Sequence, residues 1–307
     1  MEGIVIKTTG QTYRVLTSDG IVVDCTLKGN FRLKSISTTS PVVIGDHVVI
    51  EPNNSNSFVI TSIDPRRNEV VRRSSNLSKQ AHIIASNIDL AALVVTVNYP
   101  PTSTVFIDRF LAAVESFKIP AMLIVNKMDV YNEVEKEEVL KLQTIYESID
   151  YPVLTLSAQT GEGIDALKDG LHDKITLFSG NSGVGKSSII NCLIPDVDIR
   201  INSISTYHNR GMHTTTFSEM FALPFGGYVI DTPGIKGFGM VDMMPEEVSH
   251  YFREMFALSS QCRYSNCTHL HEPGCAVMEA FERGLIHPSR YASYVSIFEE
   301  FEKGKYR

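Results

Sequence analysis

The sequence has no tryptophan, only five cysteines in 307 residues, and no overall excess of positive charge. Five cysteines, in a chain whose Met1-Glu2-Gly3 start lacks a basic, apolar leader, argue against a disulfide-built secreted scaffold. No apolar run reaches the roughly 18 residues that a membrane span requires. A cytoplasmic location and no membrane partner are therefore expected. The net charge of −7 excludes a generally basic nucleic-acid binder, and no DNA partner is expected. The charge is uneven: +2 over residues 1–73, −6 over 74–240 and −3 over 241–307. Attraction to RNA must then be local. The densest basic run is Arg66, Arg67, Arg72 and Arg73, followed by Lys79, which also reads as a solvated linker.

What is present divides into three regions, with no internal repeat or low-complexity segment. Residues 1–73 alternate short β-branched runs with turn residues: Ile4-Val5-Ile6, Tyr13 to Leu16, Ile21-Val22-Val23, Val42-Val43-Ile44, His47 to Ile50 and Phe58-Val59-Ile60. Five or six short strands in that length predict a small OB-like β-barrel, a fold that often binds oligonucleotides. Residues 74–240 alternate strands and helices, which predicts a doubly wound, mostly parallel α/β sheet. Strands are expected at Leu90–Val97, Ala121–Val125, Val153–Leu156, Lys174–Phe178 and Gly227–Ile230, and helices at Val105–Lys118, Glu133–Glu147 and Ile164–Leu171. Residues 241–307 read as helical around a Cys/His cluster.

Gly180-Asn181-Ser182-Gly183-Val184-Gly185-Lys186-Ser187, followed by Ser188, has the G-x-x-x-x-G-K-[ST] form of a phosphate loop between a strand and a helix. Glycines let backbone N–H groups turn toward phosphates, and the helix start adds positive potential. Lys186 would reach the β- and γ-phosphates, and the Ser187 hydroxyl would ligate Mg²⁺. Asn126-Lys127-Met128-Asp129 has the N-K-x-D form. Asp129 would accept from guanine's ring N–H and exocyclic amine, whereas adenine would leave that carboxylate unpaired. Asn126 and Lys127 would brace the neighbouring loops, and the Lys127 stem would lie along the base. Ser157-Ala158-Gln159 resembles the loop whose backbone N–H meets guanine O6. Asp231-Thr232-Pro233-Gly234 is a D-x-x-G, placing Asp231 near Mg²⁺ through water and the Gly234 N–H near the γ-phosphate. Between these motifs, one of Thr214, Thr215 and Thr216 would close on Mg²⁺ and the γ-phosphate; Thr215 is favoured.

Ordinary GTPases carry the phosphate loop first and N-K-x-D and S-A-x last. Here N-K-M-D and S-A-Q come first, as though the chain were cut after D-x-x-G and rejoined through His172-Asp173-Lys174, which neighbouring termini permit. In this permuted order, with a barrel before it and a Cys/His module after it, the chain resembles the RsgA (YjeQ/YloQ) family of circularly permuted, ribosome-associated GTPases. The resemblance implies a GTPase acting in late maturation of the small (30S) ribosomal subunit, with rRNA and subunit proteins as partners and hydrolysis stimulated by the subunit. The alternative is a nucleotide-gated RNA-binding module in which hydrolysis is incidental. The permutation also ties the D-x-x-G loop, through Gly237, Gly239 and Asp242-Met243-Met244, to the last domain, a sensible layout for a switch.

Cys262, Cys267, His269 and Cys275 suit one closed, tetrahedral, structural Zn²⁺. His271 is the rival histidine, and the family pattern favours His269. Cys25 and Cys192 sit among apolar residues and read as core. Many GTPases place a water-orienting glutamine directly after D-x-x-G; here that residue is Ile235, which can do neither half of a hydrogen bond. His213, in the family's G-x-H-T-T-T pattern, is the candidate to orient water, and Arg210 nearby could neutralise phosphate charge.

Overall fold

Along Thr12–Thr17, Tyr13, Val15 and Thr17 are buried while Thr12 and Arg14 face water, the period-two signature of a half-buried strand. It is β2 of a barrel whose other strands are β1 (Glu2–Thr9), β3 (Val22–Leu27), β4 (His47–Pro52) and β5 (Phe58–Ile63). β1 pairs with both β2 and β4, and β3–β5 and β5–β4 complete the ring. Closure leaves the five-stranded barrel without open edges around Val5, Val15, Cys25, Val48, Ile50 and Ile60. The computed structural model describes residues 1–10, 12–28, 41–53, 57–73, 81–195, 219–231 and 244–304.

Val42-Val43-Ile44, expected as a strand, forms only a single bridge from Ile44 to Ala85. The cause is a turn built on Asp46. Its wholly buried carboxylate accepts from the Val43 N–H (2.8 Å), Ser86 Oγ (2.6 Å) and the Arg66 guanidinium (2.7 and 2.9 Å). Gly45 has φ +90°, and a Cβ there would lie 2.1 Å from the Ser86 carbonyl oxygen. Arg66 is therefore tied within the barrel unit, while Arg67, still exposed, reaches across to Asp89 of the next at 2.8 Å. The side chains of Arg72 and Arg73, and Lys79 altogether, lie outside the described residues.

Two strands that the sequence did not suggest, β6 (Glu69–Arg73) and β7 (Ala81–Ser86), pair antiparallel across the division placed at residue 73. The nucleotide sheet follows. β8 (Leu90–Val95), β9 (Ala121–Val125), β10 (Val153–Thr155), β11 (Ile175–Ser179) and β13 (Tyr228–Asp231) run parallel in the order β10-β9-β8-β11-β13. β8, β9 and β11 are buried at every residue, as strands covered on both faces must be. Helices α1 (Thr104–Ser116) and α2 (Glu133–Glu147) cover one face, and α3 (Ile164–Leu171) and α4 (Lys186–Leu193) pack in the opposite cluster. Asn132 and Glu135 form a capping box that starts α2. The strand carrying N-K-M-D precedes the phosphate-loop strand in sequence yet stands two places from it in the sheet. That is the permuted arrangement.

A further strand, β12 (Glu219–Ala222), runs antiparallel to β13 and also meets β1, where Lys7 and Glu219 are register partners joined by a 2.8 Å ion pair. Barrel and nucleotide sheet therefore form one continuous eleven-stranded sheet. β12 is Glu219-Met220-Phe221-Ala222, too short for an alternation to announce it.

The last unit comprises a 3₁₀ segment (Pro245–Tyr251) and helices α5 (Arg253–Ser259), α6 (Ala276–Glu282) and α7 (Pro288–Glu302). It is docked on α1 by buried charge. Arg290, 2% exposed, donates to Asp108 (2.7 Å) and Glu254 (2.7 and 3.1 Å), and the Tyr146 hydroxyl also donates to Asp108 (2.7 Å). Burial pushes the Asp108 carboxyl up, and the Arg290 charge opposes that. Arg290→Met should therefore leave two buried carboxylates uncompensated and cost about 3–5 kcal/mol of unfolding free energy in urea titration. A loss below about 1 kcal/mol would show that the network does not fasten this unit to α1. Among the described residues no helix is long and apolar enough to cross a membrane.

Candidate nucleotide and metal sites

The phosphate loop leaves the carboxyl end of β11 and enters α4, the crevice position where parallel α/β sheets bind ligands. Two of its glycines are sterically required. Gly180 has φ +144° and would place a Cβ 2.3 Å from the Val94 carbonyl oxygen; Gly185 has φ +96° and would place one 2.2 Å from Asn126 Nδ2. Lys186 Nζ donates to the carbonyls of Gly180 and Asn181, the latter at 3.0 Å, and so is held at the loop's mouth. Burial lowers its pKa, and Asp231 opposes the shift.

Asp231, at the end of β13, is pushed upward by burial and pulled down by Lys186. Its buried Oδ1 has no hydrogen-bond partner among the described residues. An orphaned carboxylate oxygen beside a phosphate loop fits a divalent cation, because a nearby positive charge or its water would satisfy it. Ser187, the Mg²⁺ ligand expected from the phosphate-loop motif, lies in the first turn of α4. Thr215, the other expected Mg²⁺ ligand, lies outside the described residues, as do Gly234, Ile235, His213 and Arg210.

The base-reading residues converge on the same edge. Asn126, 2% exposed, donates from Nδ2 to the Val184 carbonyl at 2.9 Å and accepts at Oδ1 from the Ala158 N–H at 3.1 Å. One side chain thus ties N-K-M-D, the phosphate loop and S-A-Q together. In the Ser157-Ala158-Gln159 loop, expected to offer a backbone N–H to guanine O6, the Ala158 N–H is engaged by Asn126. Lys127, in left-handed conformation with φ +72°, sends Nζ to the carbonyls of Gly183 (2.7 Å) and Tyr99. Asp129 stands exposed at the mouth, with Oδ1 accepting from Ser157 Oγ at 2.6 Å. These residues line a cavity of about 580 Å³ together with Tyr99, Val130, Gln159, Gly185 and Ser188. Ser182 and Gly183 are exposed on the loop and Val184 is buried under it.

Sequence reasoning passed over the support beneath this edge. The Tyr131 hydroxyl donates to the Asn126 carbonyl at 2.7 Å and accepts from the Val97 N–H at 3.3 Å. Tyr99, at the cavity rim, was equally unremarked; the signal available was an aromatic residue before Pro100-Pro101 directly after a buried strand.

In the last unit, Cys262, Cys267, His269 and Cys275 bring four ligand atoms within 4.8 Å of one another. His269 Nδ1 lies 3.6 Å from Cys262 Sγ and 3.4 Å from Cys275 Sγ, and those two sulfurs are 4.0 Å apart. Zinc bond lengths imply tetrahedral edges of about 3.5 Å for N···S and about 3.8 Å for S···S. The set therefore fits one zinc ion with no open position, bound through the histidine's Nδ1. Burial pushes the Cys267 thiol up to about 12 and keeps His269 below its usual pKa. A neutral imidazole suits a metal ligand, and thiolates packed so closely require a cation. The rival His271 is exposed and outside the cluster. The cluster's backbone is braced from α7: Tyr291 Oη donates to the His269 carbonyl at 2.7 Å, and Tyr294 Oη to that of Thr268. Cys25 is buried in the barrel, and Cys192 Sγ sits 3.3 Å from the Ala158 carbonyl, so neither joins the metal set.

The RsgA GTPase family model matches residues 63–241, and the RsgA N-terminal domain model matches residues 2–60. The chain is 56% identical over 307 residues to small ribosomal subunit biogenesis GTPase RsgA 2 of Bacteroides thetaiotaomicron, covering all of this chain and 99% of that protein. It is 48% identical to the Flavobacterium psychrophilum RsgA of the same description, over 97% of this chain and 93% of that one. The crystal structure of YjeQ from Thermotoga maritima superposes with a TM-score of 0.79 at 38% identity, covering 98% of each chain. That of YloQ, a circularly permuted GTPase, gives 0.78 at 31% identity, over 100% of this chain and 96% of that one. A phosphate loop and guanine-reading edge in permuted order, matched over the whole chain, lead to one conclusion: the chain belongs to the RsgA GTPase family and hydrolyses GTP.

Proposed function

We propose that this GTPase acts on the small ribosomal subunit, as a late-assembly checkpoint whose hydrolysis the subunit stimulates. The relatives' shared description as small ribosomal subunit biogenesis GTPases, extending over the full chain, supports the subunit as partner. The observation that carries a switch is structural. The nucleotide sheet is joined on one side to the barrel through β12 and on the other to the zinc unit through α1. A change at Asp231 or the phosphate loop thus has a short, packed route to two surfaces suited to RNA or protein. The division into a barrel at 1–73, a GTPase unit at 74–240 and a zinc unit at 241–307 serves that reading.

In this site Lys186 and the loop N–H groups hold the phosphates, Ser187 and Asp231 serve Mg²⁺, and Asp129 reads guanine while Asn126 and Ser157 fix its surroundings. Mg²⁺, when bound, would neutralise charge on the β- and γ-phosphates. Asp129→Asn is expected to weaken GTP binding about 100-fold and to favour xanthosine triphosphate, whose edge suits an amide. Unchanged GTP affinity by calorimetry would remove Asp129 from the base site. The partner is tested by co-sedimentation with purified small subunits in GDP, GTP and a non-hydrolysable analogue. Nucleotide-dependent pelleting supports the reading; no pelleting in any state ends it.

A further inference from the structure

Tyr99 stands on the rim of the cavity beside Asp129 with its backbone held from two sides. It has φ +62°, a region that bulky residues avoid unless their surroundings impose it. Its carbonyl accepts from Lys127 Nζ, and its N–H donates to Asn98 Oδ1 at 2.9 Å. Asn98 is fixed in turn: its Nδ2 donates to the Glu135 carboxylate at 2.8 Å, and this bond with that from the Asn132 N–H holds the carboxyl below its usual range. Glu135 itself belongs to the capping box of α2. The residue is nevertheless 57% exposed, and it lines the cavity shared with Lys127 and Asp129. The neighbouring Pro100 ring stands close enough to the phosphate loop that a Cβ on Gly183 would lie 3.3 Å from Pro100 Cδ.

An exposed aromatic residue whose backbone is held on both sides, on the rim of the cavity it shares with Asp129, is a stacking surface prepared in advance. An incidental exposed tyrosine would have no reason to line the cavity that Lys127 and Asp129 share. We propose that Tyr99 forms an aromatic wall of the guanosine site, continuing the Lys127 stem and resting against the base or ribose of the bound nucleotide. It is a positioning residue for GTP and GDP. This inference rests on the base-site reading of Asn126, Lys127 and Asp129.

The absence of tryptophan makes the test direct. Tyr99→Trp creates a single indole fluorophore at the proposed wall. Saturating GDP should quench its emission, with the midpoint given independently by calorimetry, while ADP at the same concentration should not. In parallel, Tyr99→Ala should raise the Kd for GDP about 5- to 20-fold, and Tyr99→Phe, which keeps the ring, should recover most of the affinity. Circular dichroism of each variant separates a folding defect from a binding defect. Asp129→Asn serves as the control for the underlying reading. Suppose Asp129→Asn loses affinity while Tyr99→Ala binds as wild type and the indole emission of Tyr99→Trp is unchanged at calorimetric saturation. The wall is then refuted and the base site stands. If Asp129→Asn also binds GDP normally, the base site itself is misplaced and the wall falls with it.

Discussion

Stripping the zinc, or replacing Cys267 with serine, is expected to lower the thermal midpoint by about 10–20 °C and leave GDP affinity within about twofold. Structural zinc can supply on the order of 10 kcal/mol to a small unit that has no other core. Here the metal segment is not alone. Val248, Phe252, Met255, Val277, Tyr294 and Phe298 belong to the same apolar cluster as Ile107, Leu111 and Val114 of α1. The Arg290–Asp108–Glu254 network adds a second fastening that needs no metal. The loss should therefore be near half the full metal contribution, about 5 kcal/mol, and each kcal/mol moves a domain of this size about 2–4 °C. Nucleotide affinity should survive because the base edge and phosphate loop belong to strands and loops on the far side of α1. Calorimetric scans of freshly purified protein, with metal content measured on the same sample, check this. A metal-free preparation with an unaltered transition would show that the four residues are ordinary core. A fall in GDP affinity matching the fall in stability would show instead that the zinc unit and the nucleotide site unfold together.

How far the sequence carried this picture depended on what each signal encodes. The motifs were legible because their chemistry demands particular residues. Gly180 and Gly185 have no room for a Cβ, and Asn126 must both donate and accept to join three loops. The buried strands β8 and β9 announced themselves by continuous apolar runs, and the helix α2 by its amphipathic pattern. What stayed hidden was long-range. β12 is four residues long, and its partners β13 and β1 are brought to it only by the folded sheet. Val42-Val43-Ile44 has strand composition, yet Asp46 and Arg66, twenty residues apart, turn it into a loop. The same pair shows that an arginine within a basic run can be paired internally. Arg66 meets its carboxylate internally, and local charge counting cannot see a partner that distant. The docking of α7 on α1 was likewise invisible, because Arg290 and Asp108 are 182 positions apart.

His213→Ala is expected to keep GTP and subunit binding while losing most of the subunit-stimulated hydrolysis. Ile235 stands where many GTPases carry the glutamine that orients water, and it has no group to do so. Basal turnover should accordingly be slow. A catalytic group supplied on partner binding is worth about 10³–10⁵-fold, or about 4–7 kcal/mol of barrier. In the present reading the small subunit supplies no residue itself; its contacts bring His213 and Thr215 of the chain to the γ-phosphate, with the imidazole fixing water in line. Arg210 is the rival, acting by charge. The two make different predictions: His213→Ala should abolish stimulation at every salt concentration, whereas Arg210→Ala would produce a partial loss that shrinks as salt screens the phosphate charge. Single-turnover rates for wild type and both variants, each with and without small subunits, decide the matter. A His213→Ala protein stimulated as fully as wild type would take the histidine out of catalysis. If wild type itself fails to respond to subunits, the checkpoint reading gives way to a nucleotide-gated RNA-binding module in which hydrolysis only resets the bound state.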